Sequence, residues 1–231
     1  MSRLPDVALD LWRFTARHRV AVRVAPDGCR DLVVVVPRIG APVSFVSALA
    51  DGTETPAFDA GDHAVGVRLR AGALVDEVAL QALLRGGERA DDVDLLGAIG
   101  AAVRLDGRVC DALECLGEAP PLDLARRRLG VSERGLERLL AVDTGRSPLW
   151  WRNLARARRC ARGLAGAGVD ARDARHGRDA RLESLVHLAD VHGYADQAHM
   201  ARDLRRWFGA SPTRLRADAA FLEGLAAPAY A

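Results

Sequence analysis

The chain has 231 residues, of which 49% are hydrophobic and 28% are charged, so it has the length and apolar content for one or two globular domains. Charged residues and prolines interrupt the N-terminal segment, and no later segment gives about 18 consecutive apolar residues, so we expect a soluble cytoplasmic protein without a signal peptide or membrane span. The four cysteines lack paired spacing, which favours free thiols over disulfide bonds.

The net charge of +2 conceals a division between the two halves of the chain. Residues 1–120 contain 13 arginines and 18 acidic residues, whereas residues 121–231 contain 20 arginines and 13 acidic residues. A basic surface of this kind is typical of proteins that bind a polyanion, although the same composition also fits an ordinary solvated surface. The charge alone leaves both interpretations open.

The N-terminal half begins with a predicted short helix and continues with strands. Within residues 1–19, four apolar side chains lie partly on one side of a helix: Leu9, Leu11, Trp12 and Phe14. Alternating or β-branched apolar residues then predict strands at residues 20–24, 32–36, 43–46 and 65–69, separated by Gly, Pro and Asp. We expect these strands to form a small antiparallel sheet or a partial barrel.

The apolar period changes to that of a helix at residues 73–84, and Gly86 and Gly87 end this helix. Residues 92–117 contain two further helical segments. Two consecutive prolines within residues 117–121 stiffen the connection that follows, so we place a domain boundary there. The predicted domains are residues 1–118, which are β-rich with trailing helices, and residues 122–220.

Helical patterns continue from this boundary towards the C-terminus. They predict helices at residues 122–129, 133–144 and 182–192, and a long helix that Ser147 and Pro148 start. Residues 166–181 are rich in Gly, Ala, Arg and Asp without apolar periodicity, and we interpret them as a flexible loop. The predicted fold class is therefore α+β, with a small antiparallel β-rich domain followed by an all-α domain.

The most informative stretch is GYADQAHMARDLRRWFGASP, residues 193–212. Asp196 is placed to cap a helix, because its carboxylate can accept the backbone N–H groups of the first turn. Gly209 ends this helix, and Ser211 followed by Pro212 starts another. Four side chains form an apolar stripe of helical period and are expected to be buried: Met200, Leu204, Trp207 and Phe208.

This stretch has a partner 64 residues upstream. Six residues recur at that offset: Leu136, Arg138, Leu140, Gly145, Ser147 and Pro148 correspond to Met200, Arg202, Leu204, Gly209, Ser211 and Pro212. Two short helices joined by a glycine-containing turn, present twice, predict tandem helix-turn-helix units. Two such units could read successive major grooves, roughly 34 Å apart on one face of DNA, with the long helix as the spacer.

Residues 122–216 resemble the AraC-type DNA-binding domain of bacterial transcription regulators. The resemblance is carried by GYADQAHMARDLRRWFGASP and by GVSERGLERLLAVDTGRSP in the first unit. It implies a sequence-specific transcription regulator whose partner is double-stranded DNA at an operator or promoter. It leaves open a small-molecule effector, a homodimer and contact with RNA polymerase.

The resemblance also implies which side chains contact DNA, because the second helix of each unit enters the major groove. By position, the base-facing residues are Arg134, Glu137 and Arg138 in the first unit and Gln197, Ala198 and Arg202 in the second. Arginine can bind guanine in a bidentate manner and glutamine can bind adenine. His199 and Arg152 are the expected phosphate contacts. We expect no catalytic residue, no metal and no cofactor.

Three features depart from the family pattern. Arg126, four residues before Gly130, stands where the family usually has an alanine that faces the recognition helix, so we expect Arg126 to snorkel or the first unit to be looser. Glu137 places a negative charge near the groove. The loop at residues 166–181 is longer than usual for the family. Residues 20–75 resemble a poorly characterised small domain found ahead of such DNA-binding domains, which implies a sensory or dimerising role.

The cysteines and histidines raise an alternative function. Cys110 and Cys115 are five residues apart, and no Cys-x-x-Cys or His-x-x-x-His pair occurs, so we expect no metal site. Cys29 is either a reactive thiol or, as we favour, a buried side chain at the start of a strand. The alternative is a bifunctional thiol-based DNA-repair or redox protein that the basic half delivers to DNA.

Overall fold

The computed structural model describes residues 3–84, 92–170, 179–225 and 229–230. The strands are β1 (Ala8–Thr15), β2 (Val20–Ala21), β3 (Asp31–Val36), β4 (Val43–Val46), β5 (Ala57–Phe58), β6 (His63–Leu69), β7 (Leu74–Val75) and β8 (Val103–Arg104). The helices are α1 (Glu77–Leu84), α2 (Asp92–Ala102), α3 (Gly107–Gly117), α4 (Leu122–Leu129), α5 (Glu133–Thr144), α6 (Pro148–Asp170), α7 (Asp179–Val191), α8 (Gln197–Phe208), α9 (Pro212–Arg216) and α10 (Ala219–Gly224).

The N-terminal sheet is antiparallel, with the strand order β1-β6-β3-β4. Its buried side chains, among them Leu32, Val67 and Leu69, pack with Leu80 of α1 and Ile99 of α2 in a first hydrophobic core. The apolar faces of the sheet and the two helices are thereby removed from water together, which is the usual way that such layers are stabilised. The predicted small antiparallel sheet is confirmed, and so is the α+β class.

The predicted short helix in residues 1–19 is wrong, because this segment forms strand β1. Its residues pair with β6 from Ala8 to Thr15. Trp12 covers Gly66 on β6, where any side chain would overlap the indole ring, and the Trp12 Nε1–H group donates to Asp31 Oδ1 at 2.8 Å. These contacts join residues far apart in the sequence, so the sheet overrides the weak local helical pattern.

Two other predictions need correction at their ends. The helix predicted at residues 73–84 begins at Glu77, because Leu74 and Val75 form β7 and pair with β8. The loop predicted at residues 166–181 is helical at both ends, since α6 extends to Asp170 and α7 begins at Asp179. Residues 171–178 lie outside the described residues, and so do Gly86 and Gly87.

A second hydrophobic core unites the C-terminal helices. Trp151, Leu154 and Leu164 of α6 are fully buried in it, together with Leu140 of α5 and Leu204 of α8. Helix α3, which we assigned to the N-terminal domain, contributes four buried side chains to this second core: Val109, Ala112, Leu113 and Leu116. The domain boundary at residue 118 stays a prediction, and the packing of α3 favours a division before α3.

The two halves of the chain are joined by buried polar contacts. The Arg158 guanidinium, which is 1% exposed, donates to the carbonyl oxygens of Pro26 at 3.2 Å and Leu225 at 2.9 Å. Burial lowers the pKa of Arg158 to about 10, so it remains charged at neutral pH. The Tyr230 N–H group donates to the Asp27 carbonyl at 2.9 Å. Within the described ranges, no helix has the length and apolar character needed to cross a membrane.

Candidate nucleic-acid interface

The first helix-turn-helix unit consists of α4 and α5. Ser132 caps α5, because its hydroxyl accepts the Gly135 N–H group at 3.1 Å. The side chains of Leu136 and Leu140 pack one face of α5 against the second core. The opposite face is left in solvent, so α5 is an amphipathic helix with a capped N-terminus.

The second unit, α7 and α8, repeats this construction. The Asp196 carboxylate accepts the His199 N–H group at 2.6 Å and so caps α8, as predicted. The predicted apolar stripe is buried, with every member at 2% exposure or less: Met200, Leu204, Trp207 and Phe208. Gly145 and Gly209 end α5 and α8 with φ values of 69° and 70°, in the left-handed region that glycine adopts without strain.

The structure places the predicted base-facing residues on the outer sides of α5 and α8. Arg134, Glu137 and Arg138 are exposed on α5; on α8, Ala198 and Arg202 are exposed and Gln197 is half-buried. Among the described residues, no carboxylate pairs with Arg134, Arg138 or Arg202. Guanidinium groups elsewhere in the second half do find carboxylates, as Arg128 does with Glu118 at 2.6 Å. The outer face of α8 therefore presents the unpaired charge of Arg202, and the outer face of α5 presents Arg134 and Arg138 together with the negative charge of Glu137.

Ala201 and Arg205 also belong to the outer face of α8, although the sequence alone did not identify them. An open depression of about 1250 Å³ lies between α7 and α8, and its α8 side consists of Gln197, Ala198, Ala201, Arg202 and Arg205. Ala201 is the equivalent of Glu137 at the 64-residue offset, and Arg205 is exposed one helical turn beyond it. The repeat register and the helical period were the signals that could have identified both residues.

The two predicted phosphate contacts lie in different environments. His199 is half-buried; its ring packs edge-on against Tyr194 at 5.2 Å, and its Nδ1 lies 3.4 Å from the Ala195 N–H group. Arg152 is also half-buried, and its Nε–H group donates to the Pro120 carbonyl at 2.5 Å. This bond ties α6 to the proline connection before α4. Burial, together with the neighbouring Arg156, lowers the pKa of Arg152.

The expected departure at Arg126 is wrong. Ala125 and Ala189, which are 64 residues apart, are both buried, at 0% and 2% exposure. The turn glycine lies one position later in the first unit than in the second, since Gly130 and Gly193 are 63 residues apart, so counting back from Gly130 gave the position next to the true equivalent. Arg126, the next residue, is half-buried and pairs with Asp123 and with Glu133 at 3.2 Å. The first unit therefore has the small buried residue that close helix packing requires.

A buried polar network fixes the second unit on α6. Arg156 and Asp203 have side chains only 9% and 10% exposed, and the Arg156 guanidinium lies 3.0 Å from Asp203 Oδ2. The Tyr194 hydroxyl donates to the same oxygen at 3.0 Å, and the guanidinium lies 4.3 Å from the centroid of the Tyr194 ring. Burial and the Asp203 charge raise the pKa of Tyr194. The network connects α6, the turn before α8, and α8 itself.

Cys29 is buried, with 5% exposure, and its backbone N–H group donates to Asp27 Oδ1 at 2.9 Å. Burial, followed by the Asp27 charge, raises the pKa of Cys29 to about 12. The thiolate is the reactive form, so the chemistry required by the bifunctional alternative is disfavoured at neutral pH. The buried position that we favoured for Cys29 is confirmed.

The burial and the raised pKa of Cys29 predict that its thiol is alkylated slowly. At pH 7.5 its reaction with iodoacetamide is expected to be about 1000-fold slower than that of a thiol with an ordinary pKa, and the rate should rise about tenfold per pH unit up to pH 10. Mass spectrometry of the labelled peptide measures this rate, and the protein unfolded in urea supplies the reference. Rapid labelling of Cys29 in the folded protein at pH 7.5 would instead favour the bifunctional alternative.

The part of the chain that carries this interface is similar to a known family of domains. Residues 125–218 match the family model of a helix-turn-helix domain, and the match includes both units. No curated protein matches the sequence. Among solved structures, the chain is similar to an apo ToxT variant from Vibrio cholerae strain SCE256, with 8% sequence identity and a TM-score of 0.41. That similarity covers 93% of this chain and 98% of the other.

Proposed function

We propose that the chain is an AraC-type, DNA-binding transcription regulator, which the helix-turn-helix match at residues 125–218 supports, and that it recognises a specific sequence by placing α5 and α8 in two successive major grooves. The observation that carries this proposal is the matching position of one arginine on each of the two outer faces. Arg138 and Arg202 occupy the same position in the repeat, both are exposed, and neither pairs with a carboxylate among the described residues. Each helix thus offers an uncommitted bidentate donor.

The chemistry of the two faces supports different base preferences. Arg134, Arg138 and Arg202 can donate to O6 and N7 of guanine, and Gln197 can pair with adenine. Glu137 can accept from the amino group of cytosine, whereas its equivalent, Ala201, can contact only apolar groups such as the thymine methyl. His199 and Arg152 remain proposed phosphate contacts. Because the faces differ at three of four equivalent positions, we expect two non-identical half-sites.

Helix α6 supports the two-groove geometry. It has 23 residues, which corresponds to a length of about 34 Å, similar to one turn of B-DNA. The first unit packs near its N-terminal end, and Gly163, towards the other end, lies against Leu188 and His192 of the second unit. A single continuous helix that packs against both units suits recognition helices that read one face of the duplex.

The N-terminal domain is the proposed site of regulation. Its contacts with the DNA-binding half are numerous enough for a change in one domain to reach the other, as the Arg158 and Tyr230 contacts illustrate. A bound effector, a second copy of the chain or RNA polymerase are the partners through which such regulation would operate. Each of these partners belongs to the proposal.

A binding selection from random duplex DNA at physiological salt tests the proposal. The full chain should enrich one bipartite sequence whose half-sites are about 10 base pairs apart. Enrichment of no sequence would overturn sequence-specific recognition, and enrichment of one isolated half-site would overturn two-groove reading. The selected sequence then serves as the reference site for the variants described below.

Arg202→Ala is expected to weaken binding to the selected site by about 1 to 3 kcal/mol and to relax preference at one base pair of the second half-site. Titrations against the selected site and its single-base variants measure both effects. Arg206→Ala is the matched control, since Arg206 is exposed on the same helix but lies against the Trp207 ring at 5.3 Å. An equal loss on all sequences for Arg202→Ala would make Arg202 a phosphate contact.

A further inference from the structure

We propose that Asp51 is a positioning residue that holds the two recognition helices at a fixed separation and thereby restricts the half-site spacing that the protein accepts. Asp51 belongs to the loop between β4 and β5, outside the DNA-binding domain. The inference rests on the two-groove reading proposed above. It assigns to the N-terminal domain a defined part in DNA recognition.

One side of this loop holds the end of the first recognition helix. Asp51 Oδ2 lies 2.9 Å from the guanidinium of Arg146, which is in the turn that follows α5. The same Arg146 nitrogen donates to the Leu49 carbonyl at 2.6 Å. Asp51 Oδ1 accepts the Trp150 Nε1–H group, at the start of α6, at 2.6 Å. The two carboxylate oxygens of Asp51 therefore fasten the junction of α5 and α6.

The other side of the loop meets the end of the second recognition helix. The Thr53 hydroxyl donates to the Trp207 carbonyl at 3.2 Å, and Trp207 is the penultimate residue of α8. Gly52 lies so close to α8 that an added Cβ would be 3.1 Å from the Arg206 carbonyl oxygen. Within five residues, the loop contacts the C-terminal ends of both α5 and α8.

The loop and α6 each connect the first unit to the second. Both units pack on α6, and the Trp150 ring, at the start of α6, lies 5.5 Å from the Trp207 ring of α8. The loop adds a second bridge from the end of α5 to the end of α8. The loop adds to the packing on α6 and further restricts rotation of one unit relative to the other. Binding to correctly spaced half-sites then costs less conformational entropy, and binding to other spacings requires the bridge to break.

The two units are not tied in the same way. Arg146 supplies the charge for the bridge in the first unit, and the equivalent residue of the second unit is Ala210. The second unit is instead fixed to α6 by the buried Arg156–Asp203 pair. The loop is thus the element through which the N-terminal domain acts on the first unit, and a change in the domain that moved Asp51 would alter spacing preference.

The experiment compares the full chain with its Asp51→Ala variant on the selected bipartite site and on sites with one or two base pairs inserted between the half-sites. The wild-type protein should lose about 100-fold in affinity on a one-base-pair insertion, since the second half-site can no longer be engaged at the same time. Asp51→Ala should bind the selected site about tenfold less tightly and tolerate the insertion with a loss below about tenfold. Thermal unfolding verifies that the variant folds.

Two further variants separate positioning from charge. Glu54→Ala removes the same charge from the same loop, and the Glu54 side chain makes no ion pair or side-chain hydrogen bond among the described residues. Glu54→Ala should keep the wild-type dependence on spacing. Gly52→Val changes no charge but crowds the loop against the Arg206 carbonyl, and should broaden the accepted spacing as Asp51→Ala does.

Failure of this inference is distinct from failure of the proposed function. If the wild-type protein selects no bipartite site, two-groove reading is wrong before any variant is measured. If the wild-type protein requires one spacing and Asp51→Ala requires it equally, Asp51 has no positioning role. Broadening by Glu54→Ala to the same extent as by Asp51→Ala would also overturn the inference, because the effect would then come from charge alone.

Discussion

Replacing Asp203 with leucine is expected to destabilise the protein by about 3 to 5 kcal/mol, the largest loss of stability that we predict for a single substitution. The carboxylate is the described charge partner of Arg156, and both side chains are about nine-tenths buried. Without Asp203, the Arg156 guanidinium remains in the interior with its charge uncompensated, and the Tyr194 hydroxyl loses its acceptor. Denaturation in urea, followed by fluorescence, measures the free energy of unfolding.

A double substitution distinguishes an unpaired charge from lost packing. Arg156→Met combined with Asp203→Leu should recover the part of the stability lost to the unpaired charge, because an apolar pair in place of a buried ion pair is often close to neutral, whereas the Tyr194 hydroxyl still lacks its acceptor. Asp190→Leu is the surface control: Asp190 is exposed on α7, and its replacement should change stability by less than about 0.5 kcal/mol. If the double variant is as unstable as Asp203→Leu, the cost does not arise from the buried charge.

Much of the DNA-binding half could be predicted because its signals are local. Ser132, Asp196 and Ser211 each accept an N–H group within the first turn of the helix that they precede, and such caps are encoded within four residues. The apolar stripe of α8 repeats at the helical period for the same local reason. The two units and the outer positions of Arg138 and Arg202 followed from these signals and from the 64-residue repeat.

The remaining features depend on residues that are distant in the sequence. Strand β1 is held by its pairing with β6 and by Trp12, which covers Gly66, 54 positions away, and residues 8–15 alone do not identify that partner. Asp51 lies in an irregular segment without periodicity, and its role follows only from its contacts with Arg146 and Trp150. Asp203 is adjacent to the apolar stripe of α8, but its partner is 47 residues away. Charges that are paired by the fold look like solvated charges in the sequence.

The repeat also shows how a local count can mislead. Counting from the turn glycine assigned Arg126 to the position of the packed alanine, because the glycine follows that alanine by five residues in the first unit and by four in the second. The offset that aligns the apolar stripes gives Ala125 instead, which is buried. Packing fixes the positions of the stripe, whereas the residue at which a helix gives way to a turn varies more freely, so the stripe is the safer reference.

The largest effect on DNA binding is expected from the double variant Arg138→Ala/Arg202→Ala. Each arginine that contacts a guanine contributes about 1 to 3 kcal/mol of discrimination, so the double variant should lose about 2 to 6 kcal/mol on the selected site. Additivity is expected because the two side chains lie on separate helices and share no partner among the described residues. Affinity for random DNA should fall much less.

Arg159→Ala/Arg206→Ala removes the same total charge from exposed positions on α6 and α8 and is the matched control. It should weaken binding to the selected site and to random DNA by similar factors, because phosphate attraction carries no sequence information. Single-base variants of both half-sites then show where specificity was lost: relaxation at one base pair in each half-site is the expected result for Arg138→Ala/Arg202→Ala. Relaxation confined to one half-site would contradict two-groove reading, because the other helix would then make no base contact through its arginine.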